Sequence, residues 1–317
     1  MRYGTIPGID VPISRLIQGT LHLGRERLEV AQALFDAAFE LGCNAFDTAV
    51  VYGAGETEAW LGSWVEQRGI RERVVLIDKG CHPFDGVARM NPRELERDIV
   101  GSLERLRSDH IDLYLLHRDD LEIPVDEIVV ALNEQLRRGT IRAFGASNWT
   151  HERLQQAHEY ARKNALVSFA ASSPGLSLAE AVRSWPGCVC LQPARDREAC
   201  AWYRATRLPL LAWSPLAGGF LSGRFDRDTA ASGSAWERRA LDFYASEANW
   251  RRLERLHALA ERHAASIGQM ALGYVLDTPG DVYAVLGCRD RAELESSVEA
   301  LALRLDPSER AELESIV

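Results

Sequence analysis

The chain has no two cysteines in the CxxC spacing of a zinc or thioredoxin-like site, and no stretch of about 18 apolar residues able to span a bilayer. It also lacks a Gly-x-Gly-x-x-Gly after its first apolar run. The first absence argues against a metal centre and a disulfide framework. Of Cys43, Cys81, Cys188, Cys190, Cys200 and Cys288, only Cys188 and Cys190 are close in sequence, and they read as small hydrophobes kept reduced. The second, with an opening MRYGTIPGID that holds no apolar segment of signal length, leads us to expect a soluble cytoplasmic protein with no membrane partner. The third argues against an open dinucleotide-binding sheet, since the chain there reads Gly19-Thr20-Leu21-His22-Leu23-Gly24. An excess of positive charge is missing too. With 37 Lys and Arg against 46 Asp and Glu, the net charge of -9 excludes general binding to nucleic acid, so any phosphate site must be local.

What is present is alternation. Short apolar runs of strand length recur between longer amphipathic segments, the signature of repeated βαβ units. Strands are predicted at Ile13 to Gly19, Asn44 to Ala49, Val74 to Lys79, Ile111 to His117, Ile141 to Ala146, Leu166 to Ala171, Leu208 to Trp213 and Val282 to Leu286. Helices are predicted at Glu29 to Leu41, Glu56 to Gln67, Arg93 to Leu106, Val125 to Arg137, Thr150 to Arg162, Asp196 to Thr206, Trp250 to His263, Gln269 to Asp277 and Leu294 to Leu303. Pro92 sits at a first turn, and Leu95, Ile99, Leu103 and Leu106 share one helical face. Arg2 to Pro12, with Gly4 and Pro7-Gly8, reads as a hairpin capping one end. The stretch from about Ser214 to Ser246 reads as a loop on the catalytic face, with Ala231 to Ala235 its most mobile part. Eight alternations in 317 residues, 46% of them hydrophobic, favour one α/β domain over residues 1–317: a single (β/α)8 TIM barrel with an N-terminal β-hairpin cap.

In such a barrel, chemistry collects where strands end, so a titratable residue closing an apolar run is informative. Asp47 closes the second strand and Tyr52 follows it, Lys79 closes the third, and His117 closes the fourth. A lysine at a barrel mouth needs a carboxylate nearby. Asp47 on the neighbouring strand is the natural partner, and Asp78 competes for the role. An ammonium beside the Tyr52 hydroxyl would favour the phenolate and bring the phenol, ordinarily near pKa ~10, closer to working pH. Together these four residues can move a proton without a metal.

The sequence resembles the aldo-keto reductase superfamily. The likeness rests on Phe46-Asp47-Thr48-Ala49-x-x-Tyr52-Gly53, Lys79, Leu115-Leu116-His117, Gly145-Ala146-Ser147-Asn148 and Trp213-Ser214-Pro215-Leu216, which appear in the family's order along essentially the whole chain. It implies a (β/α)8 barrel that binds NADPH, or less often NADH, and reversibly reduces an aldehyde or ketone. By resemblance, Tyr52 is the proton donor, Lys79 lowers its pKa, Asp47 pairs with Lys79, and His117 positions the carbonyl.

The resemblance also places the cofactor. Ser147 and Asn148 look like the carboxamide ligands, Gly19 and Thr20 line the nicotinamide end, and Trp213 stands where the family usually has a stacking tyrosine. Ser214, Leu216 and Gly218 would hold the pyrophosphate, with Arg224 adding a charge. Three positions depart from the pattern. Ser173 stands for a glutamine that contacts the carboxamide. In the segment from Gly287 that holds the adenosine phosphate, Arg289 suits a 2′-phosphate, but Glu293 replaces an Arg or Gln and Ser297 an Asn. A carboxylate there repels a phosphate and accepts from a ribose 2′-hydroxyl, which makes NADH an alternative to the NADPH expected.

Two rival functions share these residues: a regulatory protein that holds a nicotinamide cofactor with little turnover, and a metal-free lyase or isomerase using Lys79 as a Schiff-base nucleophile. His22, Phe84, Trp149, Phe220 and Ala231 to Tyr244 are candidate walls for a small-molecule aldehyde or ketone.

Overall fold

Along each short apolar run, successive side chains must point to opposite faces, so a run that is apolar on both faces has to be covered on both. The computed structural model, which describes residues 1–183, 185–227 and 234–315, meets that requirement with a ring. A small antiparallel pair, β1 (Tyr3–Gly4) and β2 (Ile13–Ser14), precedes the strands β3 (Leu16–Gly19), β4 (Ala45–Asp47), β5 (Val75–Gly80), β6 (Ile111–Leu116), β7 (Ile141–Ser147) and β8 (Ala171–Ser173). A second short pair, β9 (Gly175–Leu176) and β10 (Cys190–Leu191), comes before β11 (Leu210–Trp213) and β12 (Val282–Leu286). Strands β3 to β8 pair in parallel in chain order, β12 joins β11 to β3, and Leu210 opposite Ser172 closes β11 onto β8. Closure leaves the eight-stranded ring without a free edge.

The core falls into two parts. Ile17, Ala45, Val75, Ile77, Leu113, Leu115, Ala143, Ala171, Leu211 and Tyr283 fill the inside of the ring, and Ile6, Ile9 and Ile13 from the hairpin plug its lower end. The alternate residues, among them Leu16, Phe46, Leu76, Tyr114, Phe144 and Ala212, face an outer layer of helices. These are α1 (Leu28–Glu40), α2 (Glu56–Arg68), α3 (Pro92–Leu106), α4 (Val125–Arg138), α5 (His151–Lys163), α6 (Arg197–Thr206), α7 (Ala235–Tyr244), α8 (Glu247–Arg262), α9 (Ile267–Leu276), α10 (Arg291–Ala300) and α11 (Pro307–Glu314). Helix α3 shows how local sequence sets an element. The Asn91 side chain accepts from the Glu94 N–H at 3.0 Å, Pro92 fills the first turn, and Leu95, Ile99 and Leu106 are buried on one face. Among the described residues no helix is long and apolar enough to cross a membrane.

The ring matches the predicted architecture, and the differences have local causes. Ile13–Ser14 belongs to the hairpin, so the first barrel strand starts at Leu16. The sixth strand begins at Ala171 rather than Leu166, because the approaching backbone is held first by the Asn133 side chain, which accepts from Val167 N at 2.9 Å. Helix α7 lies inside the segment expected to be loop, and α11 follows the predicted last helix. Both start with a reciprocal cap, Ser234 with Glu237 and Asp306 with Glu309, which is a signal readable in sequence. Of the segment singled out as most mobile, 231–233 lie outside the described residues.

Ile99 is fully buried between α3 and the ring. Ile99→Ala should lower stability by about 2–5 kcal/mol in urea unfolding, and a loss under about 1 kcal/mol would mean that this face is poorly packed.

Candidate active site

The two-residue period that fills the ring also builds its upper rim. On β5, Val75 and Ile77 point inward, so Lys79 does too, while Leu76 and Asp78 point out toward the helices. The same count brings Asp47 in on β4 after Ala45, His117 just beyond β6 after Leu113 and Leu115, Ser147 on β7, Ser173 on β8, Trp213 on β11 and Gly19 on β3. Polar side chains from six strands, with Gly19 from a seventh, therefore converge at one end of the ring, where the strands finish.

At the centre is the Lys79 ammonium. It donates to Asp47 Oδ1 at 2.6 Å, to the Thr48 carbonyl at 3.0 Å and to the Tyr52 hydroxyl at 3.2 Å, using all three of its protons. Lys79 and Asp47 are only 4% and 3% exposed, so the pair has left water. Burial opposes the Lys79 charge, but Asp47 and Tyr52 outweigh it and hold the ammonium above its ordinary pKa. Burial likewise pushes the Asp47 carboxyl up while Lys79 pulls it down. Asp78, the competing partner in sequence, is buried on the outer face, where desolvation and the neighbouring Glu58 push its carboxyl well above the usual range. Pleat parity decides between the two aspartates.

Tyr52 sits on the turn after β4, held by a chain of hydroxyls. Thr20 Oγ1 donates to Thr48 Oγ1 at 3.0 Å, Thr48 and Thr57 hydroxyls meet at 3.1 Å, and Thr57 donates to the Tyr52 carbonyl at 3.1 Å. Here the sequence expectation needs correcting in one respect. Burial raises the Tyr52 phenol above its ordinary pKa, with the Lys79 charge opposing it, so without a ligand it is a firmly protonated donor. His117 meets the Tyr52 ring edge-on at 5.8 Å and the His82 ring at 4.8 Å. Burial, then the charges of Lys79 and Arg118, drive its imidazole well below the usual value, and its buried Nδ1 has no partner. Thr48, Thr57, His82 and Arg118 received no role from sequence. Thr48 lay within a quoted motif, whereas the other three are brought in by turns whose direction no local pattern signals.

Beside this group, Ser147 Oγ donates to the Ser173 carbonyl at 2.9 Å, and Asn148 Nδ2 donates to Ser147 Oγ at 2.9 Å and to the His117 carbonyl at 3.1 Å. Ser173 Oγ donates to the Leu211 carbonyl at 2.9 Å, so it braces the neighbouring strand. Trp213 is half-buried with its indole nitrogen unpartnered, and the chain then turns through Ser214 (φ 52°), Leu216 and Gly218 (φ 63°). Arg224 and Arg289 converge on one carboxylate, that of Glu293. Arg224 forms an ion pair with it, Arg289 Nη2 lies 2.8 Å from it, and Arg289 N donates to it at 2.9 Å. Ser297 turns inward, donating to the Glu293 carbonyl at 2.7 Å. Gly287 lies near His22, which therefore belongs to this end and not to the substrate end. Of the other proposed pocket walls, Trp149 and Phe220 are fully buried core residues, and Phe84 is exposed.

An unpartnered imidazole nitrogen, an unpartnered indole nitrogen and two guanidiniums gathered on one anion fit a flat, polar, phosphate-bearing cofactor. The Aldo/keto reductase family model matches residues 15–317. The chain belongs to the aldo/keto reductase family. An uncharacterized oxidoreductase of Bacillus subtilis is 32% identical over 96% of this chain and 93% of its own length. A norsolorinic acid reductase of Emericella nidulans is 26% identical over 98% of the chain and 80% of its own length. A probable voltage-gated potassium channel beta subunit of Oryza sativa is also 26% identical, over 95% and 91%. The solved glycerol dehydrogenase of Gluconobacter oxydans superposes with a TM-score of 0.81 at 25% identity, covering 98% of this chain and 93% of that one. This protein is thus an NAD(P)H-dependent enzyme of that family, acting on small carbonyl compounds.

The His117 ring should stay neutral between about pH 5.5 and 8, a window in which an ordinary histidine titrates. Its NMR signal, assigned by loss in His117→Gln, should show no step there, and an inflection near pH ~6.5 would contradict the burial argument.

Proposed function

We propose that this chain, acting as a single domain, reduces an aldehyde or ketone to the alcohol, reversibly, with Tyr52 as proton donor. The observation that carries this reading is the Lys79 ammonium shared between Asp47 at 2.6 Å and the Tyr52 hydroxyl at 3.2 Å, with a neutral imidazole alongside. Bound nicotinamide supplies the hydride that forms the new C–H bond. Tyr52 gives its O–H proton to the carbonyl oxygen as the C=O π bond breaks, and the phenolate left behind is held by Lys79 until solvent reprotonates it. His117 offers a ring N–H that orients the carbonyl oxygen. Asp47 keeps Lys79 charged. A Schiff-base role would need Lys79 as a free amine, and a pKa above the ordinary value opposes that.

In this reading Gly19, Thr20, Ser147, Asn148, Ser173 and Trp213 surround the nicotinamide end. Ser214, Leu216 and Gly218 follow the pyrophosphate with Arg224 adding a charge, and Gly287, Arg289, Glu293 and Ser297 form the adenosine end. The cofactor is NADPH by family prevalence, with NADH the alternative. The Glu293 carboxylate already engages Arg289, the residue that suits a 2′-phosphate, together with Arg224, and it suits a 2′-hydroxyl. We place the enzyme in the cytoplasm. A second reading, a cofactor-binding regulatory protein with little turnover, draws on the likeness to the channel beta subunit.

Tyr52→Phe should lower kcat for aldehyde reduction by about 10²–10⁴-fold while nucleotide binding, followed by Trp fluorescence, stays intact. Tight binding by the wild type without turnover of any carbonyl would favour the regulatory reading instead. Glu293→Gln should shift the ratio of kcat/KM for NADPH over NADH upward by about tenfold, the equivalent of ~1.4 kcal/mol, and an unchanged ratio would remove Glu293 from cofactor choice.

A further inference from the structure

The substrate end of the site carries a cation that the proton chemistry does not use. Arg118 follows His117 directly and is half-buried. Its Nη1 donates to the His117 carbonyl at 2.8 Å, the same oxygen that Asn148 Nδ2 reaches at 3.1 Å. The guanidinium and the proposed carboxamide ligand Asn148 thus share one acceptor, the main-chain oxygen of His117. The Arg118 backbone is held on one side and its stem is approached on the other. Trp149 Nε1 donates to the Arg118 carbonyl at 3.4 Å, and Gly187 approaches so closely that an added Cβ would stand 3.3 Å from Arg118 Cδ. The charge is near enough to lower the pKa values of Tyr52, His117 and His82.

No carboxylate among the described residues forms an ion pair with Arg118. The two acids that follow it are engaged elsewhere: Asp119 lies 3.3 Å from Arg153, and Asp120 Oδ1 accepts from Glu122 N at 3.1 Å. Within the site, Asp47 is committed to Lys79, and the half-buried His82 and buried His117 rings are pushed toward the neutral form. Among the described residues, Arg118 is then a charge at the mouth with no ion-pair partner. A half-buried guanidinium without an anion is costly to hold, and an anionic ligand offsets that cost.

We propose that Arg118 is the specificity-determining residue of the substrate pocket and that the substrate is an oxo acid, an aldehyde or ketone carrying a carboxylate within a few bonds of the carbonyl. The inference rests on the reductase reading and extends it to substrate class. The planar fork of a guanidinium matches carboxylate and phosphate alike, but a single guanidinium balances the one charge of a carboxylate and leaves a phosphate dianion half uncompensated. Arg118 gives no proton to the carbonyl oxygen and acts on binding, so its contribution falls mainly on KM.

The test compares 4-oxobutanoate with its methyl ester, which has nearly the same shape and no charge. Wild-type enzyme should favour the acid by tenfold or more in kcat/KM, mainly through KM. Arg118→Met, which keeps the stem, should bring that ratio to about one, and Arg118→Lys should restore part of it. A wild-type ratio near one, or a ratio unchanged in Arg118→Met, overturns the proposal. So does an Arg118-dependent preference for glyceraldehyde 3-phosphate over glyceraldehyde with none for the oxo acid. Failure of the reductase reading is separable, because 4-hydroxybutanoate can be titrated calorimetrically into enzyme saturated with whichever oxidised nicotinamide nucleotide binds more tightly. Binding lost in Arg118→Met supports the assignment even without turnover, and absence of binding to the wild type sinks it.

Discussion

Closing eight parallel strands into a ring obliges every side chain to choose between an enclosed lumen and a helix-covered wall, with two residues per repeat and no exception along a strand. The lower lumen is filled by aliphatic residues and sealed by Ile6, Ile9 and Ile13 of the hairpin. Continued upward by even steps, the same rows end in Asp47, Lys79, His117, Ser147, Ser173 and Trp213. The site is thus the place where the interior rows cease to be apolar. Its rigidity comes from the strand ladders beneath, which hold Lys79 opposite Leu115 and Asp47 opposite Ile77.

The electrostatics follow from that enclosure. A buried ammonium is tolerable only when its protons are taken up, and Asp47, the Thr48 carbonyl and Tyr52 take up all three. Burial acts on the neighbours in opposite senses: it keeps the Tyr52 phenol protonated and the His117 imidazole neutral. On the outer side of β5 the same desolvation operates on Asp78, which sits close to the fully buried Glu58. Arg105 reaches Glu58 at 2.8 Å and compensates part of that negative charge. One strand therefore carries a reactive cation on one face and a buried acid on the other.

The far end of the cofactor path is organised differently, with charged side chains exposed enough to exchange partners. Glu293 is gathered by Arg224 and Arg289, which come from the loops after β11 and β12. A ligand entering there must either share those guanidiniums or displace the carboxylate, so charge at this end acts on affinity and nucleotide choice and leaves the proton chemistry alone.

The sequence alone determined the alternation of apolar runs and amphipathic helices, and hence the barrel. It also determined the titratable residues Asp47, Lys79 and His117 at the ends of three strands, because period-two and 3.6-residue patterns are local and survive without coordinates. Even the missed helices α7 and α11 announced themselves in reciprocal caps at Ser234 and Asp306. Only the tertiary structure decided that Lys79 takes Asp47 and turns its back on Asp78, that Trp149 and Phe220 are core, and that Glu293 lies between two arginines. It alone brought the Arg118 guanidinium to the His117 carbonyl with no ion pair to an acid among the described residues. The reason is physical: pairing, burial and desolvation depend on groups far apart in the chain, and a residue's charge state is set by what the fold places around it.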